Sequence, residues 1–455
     1  MTRLGSILLW SVIAAAFIGP GTVTAAASAG SGFGLALLWA ILFSGVATFT
    51  LQEFSARLAI ASDSDLAAVL RARYPSGAGR ALVIALVGGA VLLGCAAYEA
   101  GNILGSAAGA MLAVDLPRWL VTLLLGAAAG SLLFAGSPVR IAQVMGVLVA
   151  LMGAGFFAVA VSLGPDPREL ATGLVPDLAM IGDDTALLAV LALVGTTVVP
   201  YNLFLGSALA RGQSFPVMRL GLGISVAVGT AITAAILVAG TALAEGFSFD
   251  SLADAAAGRL GEWARYGLAI GLLAAGLSSA VTAPLAAAFT ARGLFGDAKV
   301  PGWQADGRNF RAVWAIVLVT GLGFGLADIR PAPAIVAAQA FNGALLPLVA
   351  LFLLMAMNDR RVLGASANGA AANTIGLVVV AIAATLGLTA VARAGTAVFG
   401  YELSGTAPML VGFAIAGLLL GVLALLAGRN GHTPPGVAGH AFLGDFASRT
   451  DEDPP

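Results

Sequence analysis

Long apolar stretches recur along the chain, and short polar segments that hold most of the charged residues separate them. A helix needs about 20 apolar residues to cross the hydrocarbon core of a bilayer. By that criterion the pattern predicts an all-α membrane protein with twelve transmembrane helices. The predicted spans cover residues 7–33, 37–61, 80–111, 118–136, 141–163, 185–210, 217–244, 263–291, 310–327, 332–357, 369–394 and 407–428.

The composition supports integration into a lipid bilayer and excludes several other classes of protein. Of the 455 residues, 59% are hydrophobic and 10% are charged, against about 25% charged residues in a soluble domain. A net charge of −1 argues against nucleic acid as a partner, and a single cysteine, Cys95, excludes an intrachain disulfide. Both histidines, His432 and His440, follow the last span. No nucleophile paired with a base and no cofactor-binding loop is visible, so we expect neither an enzyme nor a cofactor.

The distribution of arginine and lysine predicts the orientation of the spans. Sixteen of these residues fall in segments on the side of the termini, and six fall in segments on the other side. Because cytoplasmic loops are enriched in Lys and Arg, we expect a multi-pass protein of the plasma (inner) membrane with both termini cytoplasmic. The polar composition of residues 429–455 predicts a disordered cytoplasmic tail.

Two of the predicted spans contain a proline in their middle. The first reads Gly19-Pro20-Gly21-Thr22 and the sixth reads Val199-Pro200-Tyr201-Asn202. Since they lie five spans apart, a repeat of five helices would place them at matching positions of two inverted halves, an arrangement typical of transporter substrate sites. Simple proline kinks, which are common in membrane helices, are the alternative. We therefore predict a first repeat over 1–163, an extracellular loop over 164–184, a second repeat over 185–357, and two further spans within 358–428.

Four segments carry a resemblance to a known family: 30–34 with the following Leu37-Leu38-Trp39, 51–58, 200–207 and 275–282. Gln339 and residues 346–358 extend it into the tenth span. These segments resemble the NRAMP family of divalent-metal transporters. The resemblance implies a LeuT-type fold of two inverted five-helix repeats, with helices one and six broken, and transport by alternating access.

The sequence departs from that family at the residues that would bind metal. The family's Asp-Pro-Gly-Asn motif lies on Gly19-Pro20-Gly21-Thr22, and its Met-Pro-His motif lies on Val199-Pro200-Tyr201. An acidic pair of helix three appears as Glu99 and Asn102. A divalent cation needs hard oxygen ligands that include carboxylates, or softer nitrogen and sulfur donors. We therefore expect no metal site at the breaks.

A helix that restarts after a break presents free N–H groups, which favour anions. With the metal ligands missing, we expect a secondary carrier for a small anion or zwitterion of the bicarbonate or carboxylate type. We expect helix one to restart at Thr22 to Thr24, which leaves free backbone donors at Val23 and Thr24. The predicted substrate-binding residues are Gly19, Gly21, Thr22, Val23, Thr24, Thr196, Thr197, Val199, Tyr201, Asn202 and Gln339.

The sequence also offers candidates for a coupling ion. Glu99 is an acid well inside the membrane, where an ionisable group is costly and suggests a function. It is a candidate proton carrier, with Asn102 one helical turn away as its hydrogen-bond partner; a structural acid is the alternative. Ser278 and Ser279 are candidates for a sodium site, and helix packing is the commoner explanation for such residues. Glu53 and Arg57 are spaced for a structural salt bridge.

Two other functions remain open from the sequence. The first is transport of a divalent metal ion such as manganese, iron or magnesium, coupled to protons, as the resemblance implies. The second is a sensor that binds a ligand without transporting it.

Overall fold

The computed structural model describes residues 10, 13, 16–135, 138–177, 183–243, 246–296, 299–327 and 329–398. Within these ranges the regular secondary structure is entirely helical, which confirms the all-α prediction. The predicted twelfth span (407–428) and the predicted tail (429–455), with both histidines, lie outside the described residues.

The helices agree closely with the predicted spans. In chain order they are α1 (Pro20–Phe33), α2 (Leu38–Ser62), α3 (Leu66–Arg73), α4 (Gly77–Val83), α5 (Gly89–Met111), α6 (Arg118–Ala135), α7 (Pro138–Leu163), α8 (Pro167–Gly173), α9 (Asp184–Thr197), α10 (Pro200–Ala210), α11 (Phe215–Gly240), α12 (Phe249–Leu260), α13 (Trp263–Phe295), α14 (Arg308–Leu326), α15 (Pro331–Met357), α16 (Arg360–Leu363) and α17 (Ala370–Val398). A π-helical turn, Ile84–Gly88, joins α4 to α5. The predicted extracellular loop contains the short helix α8.

Among the described residues, seven spans are long and apolar enough to cross a membrane, or eight if α7 and α8 form one bent span. One of the seven joins α9 and α10 across the second break. Helices α2 and α5, with 25 and 23 residues, also have the required length and contain the buried charged residues Glu53, Arg57 and Glu99. The boundaries of the two predicted repeats stay a prediction.

Glycines bring the two broken helices into backbone contact with their neighbours. A Cβ on Gly30 of α1 would lie 2.0 Å from the carbonyl oxygen of Leu237, and one on Gly240 of α11 would lie 2.3 Å from that of Ala27. Between α9 and α15, a Cβ on Gly195 would lie 2.0 Å from the carbonyl oxygen of Gln339. Small residues at such crossings allow close packing without a hydrophobic driving force. They hold α1 and α9 deep in the bundle.

A network of polar side chains joins α2 to α11 and to the segment after α16, on the predicted cytoplasmic side. Arg57 Nε lies 3.2 Å from Glu53 Oε2, which confirms the predicted salt bridge. Arg219 donates two hydrogen bonds to Glu53 Oε1, at 3.0 and 2.8 Å. Arg57 also donates to the Asn368 side chain and to the Ser366 carbonyl oxygen. One carboxylate therefore links two arginines from different helices.

Candidate functional site

The first break lies at Gly19, which precedes α1 in an extended conformation (φ −139°). Pro20 is the first helical residue, a position that suits its fixed φ and missing N–H. The sequence placed this restart at Thr22 to Thr24 with free donors at Val23 and Thr24, and this was wrong. The Val23 N–H donates to the Gly19 carbonyl oxygen at 3.1 Å. The earlier restart puts Thr24 inside the helix and leaves the amides of Gly21 and Thr22 in its first turn, where helix geometry supplies no partner.

The second break lies between α9 and α10. Val198 and Val199 are non-helical, and Pro200 again takes the first helical position. The Asn202 N–H turns back to the Val199 carbonyl oxygen at 3.1 Å. Tyr201 is fully buried. Both breaks therefore follow the same local rule, in which the proline begins the second half of the helix.

A direct hydrogen bond joins the two broken helices. The hydroxyl oxygens of Thr22 and Thr196 lie 2.8 Å apart, and the Thr22 hydroxyl also donates to the Phe17 carbonyl oxygen. Since Thr22 has one hydroxyl proton, Thr196 is the donor between the two threonines. The Tyr98 hydroxyl donates to the Thr196 carbonyl oxygen at 2.9 Å. The predicted residues Thr22 and Thr196 are thus brought together at full burial.

Polar side chains of other helices occupy the space beside the two glycines of the first break. A Cβ on Gly19 would lie 2.5 Å from Ser279 Oγ and 3.6 Å from Asn102 Oδ1. A Cβ on Gly21 would lie 2.1 Å from Gln339 Nε2. Three predicted residues from α5, α13 and α15 therefore meet at the break. In particular, Ser279 lies where a larger side chain at position 19 would have to pass.

Several buried polar atoms of these residues have no hydrogen-bond partner within the described part of the chain. They include both side-chain atoms of Asn202, both of Gln339, Thr24 Oγ1 and Asn102 Oδ1. A buried polar group without a partner costs about 1–3 kcal/mol and needs an explanation. In contrast, Thr197 Oγ1 donates to the Leu193 carbonyl oxygen of its own helix at 2.9 Å. The unpaired amides supply both donors and acceptors for a ligand.

The predicted coupling residues lie beside this cluster. Glu99 is fully buried, and Asn102 Nδ2 donates to its Oε2 at 3.3 Å, which confirms the predicted contact. The Ser278 hydroxyl donates to the Ala275 carbonyl oxygen of its own helix, whereas Ser279 Oγ lies at Gly19. Of the two serines, Ser279 is therefore the one placed at the break.

Sequence reasoning did not include Tyr98 among the site residues. Its ring packs edge to face against that of Tyr201, with centroids 5.2 Å apart. The Tyr201 hydroxyl donates to the Ala16 carbonyl oxygen at 3.3 Å. The sequence did offer one signal for Tyr98, which is its position directly before the intramembrane acid Glu99. The two tyrosines therefore contact each other and hydrogen-bond to the backbone just before each break.

The donor set at the breaks consists of hydroxyl, amide and carbonyl groups. Within the described ranges, no three His, Cys, Asp or Glu side chains lie close enough together to hold a metal ion. Glu99 is the nearby carboxyl, and Asn102 lies between it and Gly19. The chemistry at Gly19 and Thr22 is therefore that of a neutral hydrogen-bonding site.

Two membrane helices that break at prolines and meet by a hydrogen bond in the bundle define a broken-helix fold of the LeuT type. The chain belongs to the Nramp family, because the family model described as "Natural resistance-associated macrophage protein-like" matches residues 11–393. This confirms the resemblance seen in the sequence.

Several similar proteins from bacteria and a plant are named metal transporters. A "Divalent metal cation transporter MntH" of Xanthomonas campestris is 28% identical over 78% of this chain and 82% of its own length. One from Ralstonia nicotianae is 28% identical over 79% of this chain and 84% of its own length. One from Xylella fastidiosa is 31% identical, but the match spans only 44% of that protein and 46% of this chain.

Solved structures show the same fold. The Eremococcus coleocola manganese transporter superposes with a TM-score of 0.72 at 21% identity, covering 93% of this chain and 94% of that one. MhsT, solved in complex with L-phenylalanine, gives a TM-score of 0.57 at 19% identity, covering 85% of this chain and 97% of its own. At these identities the likeness shows the fold alone. It confirms the predicted LeuT-type architecture with broken helices one and six.

Proposed function

We propose that this protein is a secondary carrier that binds a small anion or zwitterion between the two helix breaks and moves it by alternating access. The observation that carries the proposal is the packing at Gly19, where the family motif places its aspartate. Because Ser279 Oγ lies 2.5 Å from the position of an added Cβ, neutral groups fill the place of that carboxylate. Removing a fixed negative charge from a buried site favours negatively charged ligands over cations.

The groups left at the breaks suit a carboxylate or bicarbonate. The amides of Gly21 and Thr22 lie at the positive end of α1, which attracts anions. The side-chain amides of Asn202 and Gln339 add donors that are buried and unpaired among the described residues. Carbonyl groups at the end of the preceding helix half, such as that of Phe17, would receive the ammonium group of a zwitterion.

Glu99 and Asn102 are proposed to couple transport to a proton. Glu99 is buried, and Asn102 hydrogen-bonds to it on one side while its Oδ1 reaches toward Gly19. A proton taken up by Glu99 would thus be held one residue away from the substrate. Sodium held near Ser279 is the alternative coupling ion. Both proposals go beyond membership of the Nramp family.

A divalent metal cation is the second candidate substrate, and the comparisons favour it over an anion. Relatives matched over more than three quarters of this chain are named divalent metal cation transporters. A cation at this site would be coordinated by neutral oxygens and would keep part of its hydration shell, as Mg²⁺ commonly does. Coordination by Glu99 would require a rearrangement of Asn102.

Flux into liposomes containing the purified protein separates the candidates. We expect labelled bicarbonate or a short carboxylate to cross saturably, and manganese and magnesium to be excluded. Asn202→Leu should abolish the flux by removing a buried amide, whereas Thr320→Val should not. Thr320 is the control because, among the described residues, its hydroxyl bonds only to its own helix, at the Ile316 carbonyl oxygen.

Each alternative has a distinct result. Saturable manganese or magnesium flux that is lost in Asn202→Leu would show that the substrate is a metal cation and not an anion. A solute that raises the melting temperature but does not cross the membrane would identify a sensor. Equal bicarbonate flux in Asn202→Leu and the wild type would show that the substrate does not bind at the breaks.

A further inference from the structure

An open groove of about 440 Å³ lies between the end of α6 and the beginning of α14. Its lining includes Phe134 from α6, and Asp306, Arg308, Arg311 and Trp314 from the segment that begins α14. The arginine distribution predicts that this end of α14 is cytoplasmic. Since α14 enters the membrane here, the groove lies at the level of the lipid headgroups.

The groove carries positive charge that no acidic side chain of the described residues neutralises by an ion pair. Arg308 is exposed, and neither Arg308 nor Arg311 forms an ion pair within the described residues. Two arginines and the single lining carboxylate, Asp306, give the groove a formal charge of +1. The first turn of α14 contains no acid, so the positive end of the helix dipole adds to this charge.

Arg311 is positioned to bind a phosphate. Its Cζ lies 4.1 Å from the centroid of the Phe134 ring, so the guanidinium stacks on the ring through its face. Stacking uses the face of the guanidinium and leaves its N–H donors at the edge. That edge matches phosphate oxygens in a bidentate geometry.

The surface next to the arginines suits an acyl chain. Ala315 and Val319 follow Arg311 at intervals of four residues and therefore lie on the same side of α14. Val319 is 64% exposed, the neighbouring Ile316 is 67% exposed, and Phe134 is 62% exposed. The positive end of the groove thus continues into an apolar stripe that runs toward the middle of the membrane.

We propose that this groove is a binding site for an anionic phospholipid of the cytoplasmic leaflet. The phosphate of its headgroup contacts the edges of Arg308 and Arg311, and an acyl chain lies along Ala315 and Val319. Basic pockets between membrane helices on this side bind such headgroups, and each arginine contributes through its charge. The proposal does not depend on the identity of the transported substrate.

Native mass spectrometry of the full chain, released from mixed phosphatidylglycerol and phosphatidylethanolamine, tests the proposal. We expect the wild type to retain phosphatidylglycerol preferentially, and Arg308→Gln with Arg311→Gln to lower that preference about tenfold. Phe134→Leu should lower it less, because it removes the stacking and keeps both charges. Arg360→Gln is the matched control: Arg360 is another exposed arginine on the same predicted side, and its loss should leave the preference unchanged.

Three results would overturn the proposal. The first is equal lipid preference in the wild type and the double variant. The second is competition of inorganic phosphate with phosphatidylglycerol at comparable affinity, which would identify a soluble anion as the ligand. The third is a lipid preference that appears only after removal of residues 429–455, which would make the acidic end of the chain the occupant of the groove.

Discussion

The crossing of α1 and α11 predicts opposite effects for two glycines that lie two residues apart. Gly30 faces the backbone of α11, whereas nothing lies within 4 Å of a Cβ added at Gly32. Real Cβ contacts essentially never fall below 3.0 Å. In Gly30→Ala the new Cβ would lie 2.0 Å from the Leu237 carbonyl oxygen, so α1 and α11 must move apart until this distance reaches at least 3.0 Å. Because the opposing atom belongs to a backbone, no side-chain rotation can relieve the clash.

The expected destabilisation by Gly30→Ala is about 3 kcal/mol, at the upper end of the range for overpacking. Gly32→Ala should instead stabilise the helix by about 0.5 kcal/mol, since alanine has the better helix propensity and its side chain is exposed. In a chain of this size the first change should lower the melting temperature by about 3–6 °C. The second should leave it unchanged or slightly raised.

Thermal melting of the purified protein in detergent, followed by intrinsic fluorescence, measures both variants under the same conditions. Gly240→Ala tests the same crossing from the other side, because its Cβ would lie 2.3 Å from the Ala27 carbonyl oxygen. It should melt at about the temperature of Gly30→Ala. If Gly30→Ala and Gly32→Ala melt together, the helices do not touch at this point and the reasoning fails.

Three further predictions concern charged and hydroxyl groups inside the bundle. Glu53→Gln should destabilise the protein by about 3–5 kcal/mol because it leaves Arg57 buried without a counter-charge. Arg219→Gln should cost about 1 kcal/mol or less, since Arg219 is 53% exposed and Glu53 keeps its bond to Arg57. Equal melting temperatures of the two variants would contradict this. Thr196→Val should reduce substrate flux at least tenfold by removing the hydroxyl that joins the breaks, and Thr196→Ser should restore it. Tyr98→Phe should lower stability by about 1 kcal/mol, measured by the same melts, and no change would show that its hydroxyl bond to Thr196 is not formed in solution.

The positions of the spans and of both breaks could be predicted because they depend on local properties. Apolar length determines where a helix crosses a bilayer, and Pro20 and Pro200 mark the two interruptions. The error at the first break came from assigning the helix start to threonines. Proline at the first helical position is the stronger rule, since it lacks the N–H that would be unpaired there, and the structure follows it at both breaks.

The contacts across the site could not be predicted in the same way. Ser279 and Gly19 are separated by 260 positions, and their contact depends on how α13 is rotated about its own axis. Polar residues such as Ser278 and Ser279 are equivalent in the sequence, yet one bonds to its own helix and the other lies at the break. Hydrophobic periodicity gives little guidance here, because α13 is apolar on nearly all sides.

The contact of Ser279 with Gly19 also constrains how this protein can evolve. An aspartate at position 19 would require the Ser279 side chain to move, because a Cβ there would lie 2.5 Å from Ser279 Oγ and 3.3 Å from Ser279 Cβ. The two positions are thus coupled by their packing, and the effect of an acid at position 19 depends on the residue at position 279.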